Sequence, residues 1–98
     1  MATLRIDLEV RDYDMWRDAF GKDAGSRGRH GASRHRIFRS VGDDHRVTLD
    51  IDFNTPAEAD AFLTVLRNHV WSSSDKAPAK IGMPSAQIID LVESHEYR

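Results

Sequence analysis

Residues Asp12 to Phe20, DYDMWRDAF, put three aromatic and three acidic side chains into nine positions near the start of a 98-residue chain. Helical spacing separates them into two groups. Tyr13, Trp16 and Phe20 fall at i, i+3 and i+7, which is one face of a helix. Asp12 is placed to cap the first turn, and Asp14 sits where the positive end of the helix dipole favours a carboxylate. Arg17 and Asp18 face water. The stretch therefore reads as an aromatic-faced helix rather than a catalytic cluster, because burying each ring stabilises the fold by about 1.5–3 kcal/mol. Helical polarity runs on through Ala24, and Gly25, Gly28 and Gly31 predict an end between residues 25 and 31.

The flanking segments supply a sheet for that helix to cover. Leu4, Ile6, Leu8 and Val10 alternate with Arg5, Asp7 and Glu9, so Thr3 to Val10 reads as a strand with one apolar and one charged face. His35 to Val41 reads as a second strand, Gly42-Asp43-Asp44 as a tight turn, and His45 to Phe53 as the returning strand of a hairpin. The returning strand repeats the pattern of the first, with Val47, Leu49, Ile51 and Phe53 against Arg46, Thr48, Asp50 and Asp52. Thr55-Pro56-Ala57-Glu58 is a capping box with proline at the first helical position, opening a helix that carries Ala59, Phe62, Leu63 and Leu66. His69-Val70-Trp71 either finishes this helix or starts a short separate one. Ser72 to Pro84 reads as a polar loop, and a last strand runs from about Ala86 to Glu93.

The order strand, helix, strand, strand, helix, strand is that of a ferredoxin-like α+β domain. Split crossovers of the right-handed sense give a four-stranded antiparallel sheet with both helices on one face and the first and third strands as central neighbours. The whole chain, 1–98, is one such domain. At this length a single core leaves little margin, so a partner subunit would help.

Composition narrows the function classes. A formal net charge of -2 argues against a dominant polyanion-binding surface, so no nucleic-acid partner is expected. The absence of cysteine excludes disulfides, thiolate metal sites and a cysteine nucleophile. Charges at Arg5, Asp7 and Glu9 break the first residues as a signal peptide, and no apolar run is long enough for a membrane span. A cytoplasmic protein with no membrane partner is the expectation.

Arg11 to Phe20, then Ser33 to Ser40, then Val47 to Phe53, resemble small bacterial proteins of the dimeric α+β-barrel superfamily. That superfamily includes antibiotic-biosynthesis-type monooxygenases, haem-degrading relatives, small cyclases and isomerases. The resemblance covers most of the chain from Thr3 to Leu66. It implies a homodimer in which two uncovered sheet faces meet as a barrel. It also implies cofactor-free monooxygenase-like or cyclase/isomerase-like chemistry on a small aromatic or enolic compound, with a noncatalytic binding or accessory module as the alternative. Apolar contacts for the dimer are expected from Phe38, Ile88, Val92 and the segment around Val70 and Trp71.

The polar sheet face carries the most chemical content. A register that sets Arg5 near Asp52 and Asp7 near Asp50 would create a carboxylate pair, one member of which would tend to hold its proton. Asp7 and Asp50 are then the acid/base candidates, with Arg5 orienting an anionic group and Thr48 and Asp52 beside it on the substrate-binding face. The competing reading is a solvated face whose cross-strand pairs are worth about 0.2–1 kcal/mol each. His35, opening the second strand between Arg34 and Arg36, is a further catalytic candidate because imidazole titrates near neutral pH. Trp71 is expected to shape the pocket. The five histidines lack zinc-site spacing, so no metal is expected. The basic run Ser26 to Arg36 has neither dinucleotide nor P-loop glycine spacing and reads as a solvated helix end and loop.

Overall fold

The computed structural model describes residues 1–23 and 26–97. Strand β1 (Ala2–Val10) leads into helix α1 (Tyr13–Gly21), and a 3-10 turn (Gly28–His30) precedes the hairpin of β2 (Arg34–Ser40) and β3 (Asp43–Phe53). Helix α2 (Pro56–Val65) runs straight into a π-helical turn (Leu66–Val70), and β4 (Lys80–Asp90) closes the sheet. The strands lie in the order β2-β3-β1-β4, and all neighbours are antiparallel. This is the ferredoxin-like arrangement, with β1 and β3 at the centre.

Both helices start where the caps place them. Asp12 accepts a hydrogen bond from the Met15 amide at 3.0 Å, and Thr55 accepts one from the Glu58 amide at 3.2 Å. Helix α1 ends at Gly21, earlier than the glycine pattern predicts. Asp23 turns the chain with a φ of 53°, a left-handed conformation that aspartate tolerates when its carboxylate bonds locally. Here its Oδ1 accepts from the Arg27 amide at 2.9 Å. The expected continuation through Ala24, and the role given to Gly25, fall outside the described residues.

The core is the apolar face of the two central strands beneath the helices. Leu4, Ile6, Leu8 and Val10 from β1 and Val47, Leu49, Ile51 and Phe53 from β3 are all buried. Trp16 and Phe62 pack onto them, while Tyr13 and Phe20 are half-buried at the margin. Burying this row against the helices is the main driving force for the fold.

The last strand differs from expectation, and the end of α2 takes the first of its two expected forms. The last strand begins at Lys80 and ends at Asp90, rather than running from about Ala86 to Glu93. Pro84 sits inside it because β4 is an edge strand with an irregular register between its pairings to Asp7 and Glu9, a place where a missing amide is tolerated. The Leu66–Val70 segment finishes α2 as a wider turn, with the Trp71 amide donating to the Leu66 carbonyl at 2.7 Å. That extra residue carries Val70 and Trp71 into the core, where both are buried. Ile88 likewise pairs with Leu4 on the helix side of the sheet. Ile88, Val70 and Trp71 are therefore unavailable to the open sheet face, whereas Phe38 and Val92 are exposed.

Candidate functional site

The sheet has two faces, and each carries a different kind of site. Between the helices and the sheet lies a cavity of about 70 Å³ whose walls include Ile6, Leu8, Trp16, Phe20, Leu49 and Trp71. Its walls also include Arg27, Lys76 and Lys80, but no carboxylate or imidazole among the described lining residues. The wide turn after α2 creates it, by turning Leu66, Val70 and Trp71 toward the sheet. Such π turns recur where a helix is bent to shape a site.

Aromatic rings form one end of this cavity. Trp16 and Phe20 stack with ring centres 5.2 Å apart, and Arg27 places its guanidinium carbon 3.7 Å from the Phe20 ring centre. Burial, chiefly, lowers the proton affinity of Arg27, and the nearby Arg17 charge adds to this while Asp23 opposes it; the guanidinium remains a cation throughout the working pH range.

The opposite face is open and polar. The central register sets Arg5 opposite Asp50, Asp7 opposite Thr48 and Thr3 opposite Asp52. Arg5 grips Asp50 with Nε and Nη2, each 2.9 Å from a carboxylate oxygen, and Arg36 approaches the same carboxylate at 3.4 Å. Thr3 and Arg34 donate to Asp52 at 2.6 and 2.7 Å. Burial works to raise the Asp52 pKa, yet the Thr3 and Arg34 hydrogen bonds, with the charges of Arg34 and Arg36, hold it below the usual carboxylate range. The Asp50 hydrogen bond and charge push the Arg5 pKa up. Thr48 donates to Asp7 at 2.6 Å.

The register does not assemble the anticipated carboxylate pair. Asp7 and Asp50 share the open face but are offset diagonally, each engaged by a different partner. Arg5, Thr48, Asp50 and Asp52 are gathered on this face with Asp7, whereas His35 and Trp71 are on the other side of the sheet. His35 pairs with Ile51 and meets the Phe20 ring edge-on at 5.0 Å. Its pKa is lowered by burial, then by the Arg27 and Arg17 charges. Trp71 alone among the sequence candidates lines the helix-side cavity.

Arg27 is the residue that sequence reasoning passes over, because it belongs to a glycine-rich basic run that reads as solvated. Within that run Arg27 pairs with Asp23, Arg34 with Asp52 and Arg36 with Asp50. The only signal pointing to a buried role for Arg27 is its spacing from the aromatic residues of α1, which is too indirect to read without the turn at Asp23. No group of three or more histidine, aspartate or glutamate side chains among the described residues could hold a metal ion.

No protein-family model matches the sequence, and no curated protein matches it. Solved structures do. SnoaB, a cofactor-independent oxygenase from Streptomyces nogalater, superposes with a TM-score of 0.69 at 13% identity over 95% of this chain and 94% of its own. A protein from Nitrosomonas europaea, described as a candidate antibiotic-biosynthesis monooxygenase, gives 0.68 at 18% identity over 95% of this chain and all of its own. The chain has the antibiotic-biosynthesis-monooxygenase-like fold. A dimeric ferredoxin-like protein from an uncultured marine organism shares that fold, with a TM-score of 0.66 at 12% identity and 96% of each chain covered. Among the described residues, no helix is long and apolar enough to cross a membrane.

Proposed function

We propose that the protein is a homodimer that binds a small aromatic or enolic molecule in the cavity between its helices and sheet, with cofactor-free monooxygenation or a cyclase/isomerase-like rearrangement as its chemistry. The observation that carries this reading is the cavity wall itself, in which two tryptophans and Phe20 meet three cations. Aromatic walls suit a flat ring, and a few polar groups in an apolar cleft are what orient a small ligand.

The cations give the chemistry a direction. Without a metal or flavin, dioxygen must take its first electron from the substrate, which supplies it only as an electron-rich anion. Arg27 favours the ionised form of an enol or phenol, because an opposite charge nearby in a partly buried site stabilises the anion, and the exposed Lys76 and half-buried Lys80 add to it. In an oxygenation of a methylene carbon, a carbon–oxygen bond forms to one atom of dioxygen. The resulting hydroperoxide loses water to leave a carbonyl. The likeness to SnoaB, a cofactor-independent oxygenase, supports this class of reaction.

The open face is assigned to assembly. Phe38, opposite Thr48, and Ile81, opposite Glu9, are exposed among paired charges on that face, and the marine ferredoxin-like neighbour is described as dimeric. In this reading Arg5, Asp7, Thr48, Asp50 and Asp52 line a wet barrel interior rather than the reaction centre.

A second reading, a noncatalytic binding module, draws on the lack of a carboxylate or imidazole among the described lining residues. Native mass spectrometry of the purified protein for a co-purifying ligand, with light scattering at micromolar concentration, tests the binding and assembly claims. A dimer carrying a small aromatic compound is expected. A monomer would remove the barrel. Oxygen uptake on adding that compound, without added metal or flavin, separates the enzyme from the binding module.

A further inference from the structure

Arg27 enters the helix-side cavity from the loop between α1 and β2, with its side chain only 16% exposed. Its Nη1 is already committed, donating to the Phe20 carbonyl at 3.1 Å and lying 3.2 Å from Asp23 Oδ1. Nε and Nη2, which share one edge of the planar guanidinium, have no protein acceptor among the described residues. No buried donor among those residues is sealed without a partner, so this edge borders accessible space. The Phe20 ring, 3.7 Å from the guanidinium carbon, and the Nη1 bonds fix the plane of the group and so the direction of its free edge.

The same edge is filled elsewhere in the molecule. Arg5 uses Nε and Nη2 to hold the two oxygens of Asp50 at 2.9 Å each. Arg27 carries the same fork without an acceptor among the described residues, on a side chain that lines the aromatic cavity. A fork of two parallel N–H groups matches the two coplanar oxygens of a carboxylate better than the single oxygen of a phenolate.

We propose that the ligand of the helix-side cavity is a small aromatic carboxylate, and that Arg27 is its specificity-determining residue, pairing Nε and Nη2 side-on with the carboxylate while Trp16 and Trp71 hold the ring. The proposal rests on reading the cavity as the ligand site. Its chemistry is reinforced by Lys76 and Lys80 in the same wall, which leave Asp23 on Nη1 as the charge partner Arg27 already has. A ligand carboxylate adds the second acceptor without displacing the first.

Benzoate and benzamide have nearly the same shape and differ in charge, so they separate the two claims. Their affinities are measured by titration calorimetry on the wild type, Arg27→Lys and Arg27→Gln, with thermal unfolding to confirm that each variant is folded. Wild type is expected to prefer benzoate over benzamide by about tenfold or more, the scale of a charge-assisted bidentate pair. Arg27→Gln should remove most of the preference, leaving the part that Lys76 and Lys80 supply, while keeping benzamide affinity. Arg27→Lys should retain only part of it, because an ammonium is a point charge without the fork. Should Arg27→Gln fail to fold, the Arg27→Lys discrimination ratio and the wild-type benzoate-to-phenolate ratio decide the matter. Equal binding of benzoate and benzamide by the wild type would overturn the role of Arg27 and leave the cavity reading intact. Binding of neither probe would overturn both.

Discussion

The two faces of the sheet use the same strands for opposite purposes. On the helix side, alternate residues of β1 and β3 are hydrocarbon and wall a cavity lined by Arg27, Lys76 and Lys80 with no acid among its described lining residues, although Arg27 keeps Asp23 as a partner outside it. On the open side, the intervening residues are polar or charged, yet the three aspartates already have partners: Asp50 has Arg5 and Arg36, Asp52 has Arg34 and Thr3, and Asp7 has Thr48. A face rich in titratable groups looks reactive in a sequence, but satisfied pairs stabilise a surface more readily than they do chemistry. The face with fewer polar groups has the unspent hydrogen-bonding capacity.

This contrast can be broken by substitution, and the largest effect belongs to the helix side. Phe62, fully buried against Phe53, should cost about 3–5 kcal/mol when cut to alanine, as large-to-small core changes do; urea unfolding measures it. Asp50→Asn on the open face should cost about 1 kcal/mol. The figure is small because Arg5 and Arg36 are 41% and 47% exposed and can turn to water. Asp7→Asn should change stability by less than about 0.5 kcal/mol, since the amide oxygen still accepts from Thr48. A loss at Asp7 as large as at Phe62 would show that the open face is packed as tightly as the core.

Acid sensitivity sharpens the same contrast. The folded-state pKa of Asp52 lies below its unfolded value, so its contribution is fully present above the ordinary aspartate pKa of about 3.9 and is lost as pH falls through the folded value. Asp52→Asn should therefore flatten the fall in stability on the acid side of pH 4, measured by urea unfolding across pH. His35 adds a smaller effect on the helix side. Its lowered pKa means that the unfolded chain takes the proton first, so stability should decline slightly as pH drops below about 6.5, and His35→Gln should remove that decline.

Most of the fold is legible in the amino-acid sequence. The alternation in residues 3–10 and 45–53 marks two strands with matching apolar faces. Asp12 and Thr55 mark the helix starts, and Tyr13, Trp16 and Phe20 mark the covered face. The register is not legible. A two-residue slip between β1 and β3 leaves every side chain on its original face, so alternation alone cannot choose between Asp7 opposite Asp50 and Asp7 opposite Thr48. The start of β4 is hidden by Gly82 and Pro84, which read as loop unless the strand is known to be an edge. Trp71 and Arg27 depend on local turns, a π turn after α2 and the left-handed residue Asp23. Neither has a pattern as regular as an apolar stripe.

Ligand is expected to enter the helix-side cavity and leave the open face untouched. The chain has only two tryptophans, Trp16 and Trp71, and both line that cavity. A proton–nitrogen NMR titration with benzoate therefore reads the two faces separately. The indole N–H signals of both tryptophans are expected to shift with the ligand, while the side-chain Nε–H signals of Arg5 and Arg34, bonded to Asp50 and Asp52 on the open face, stay in place. Shifts at those two arginine signals with both indole signals unmoved would contradict it.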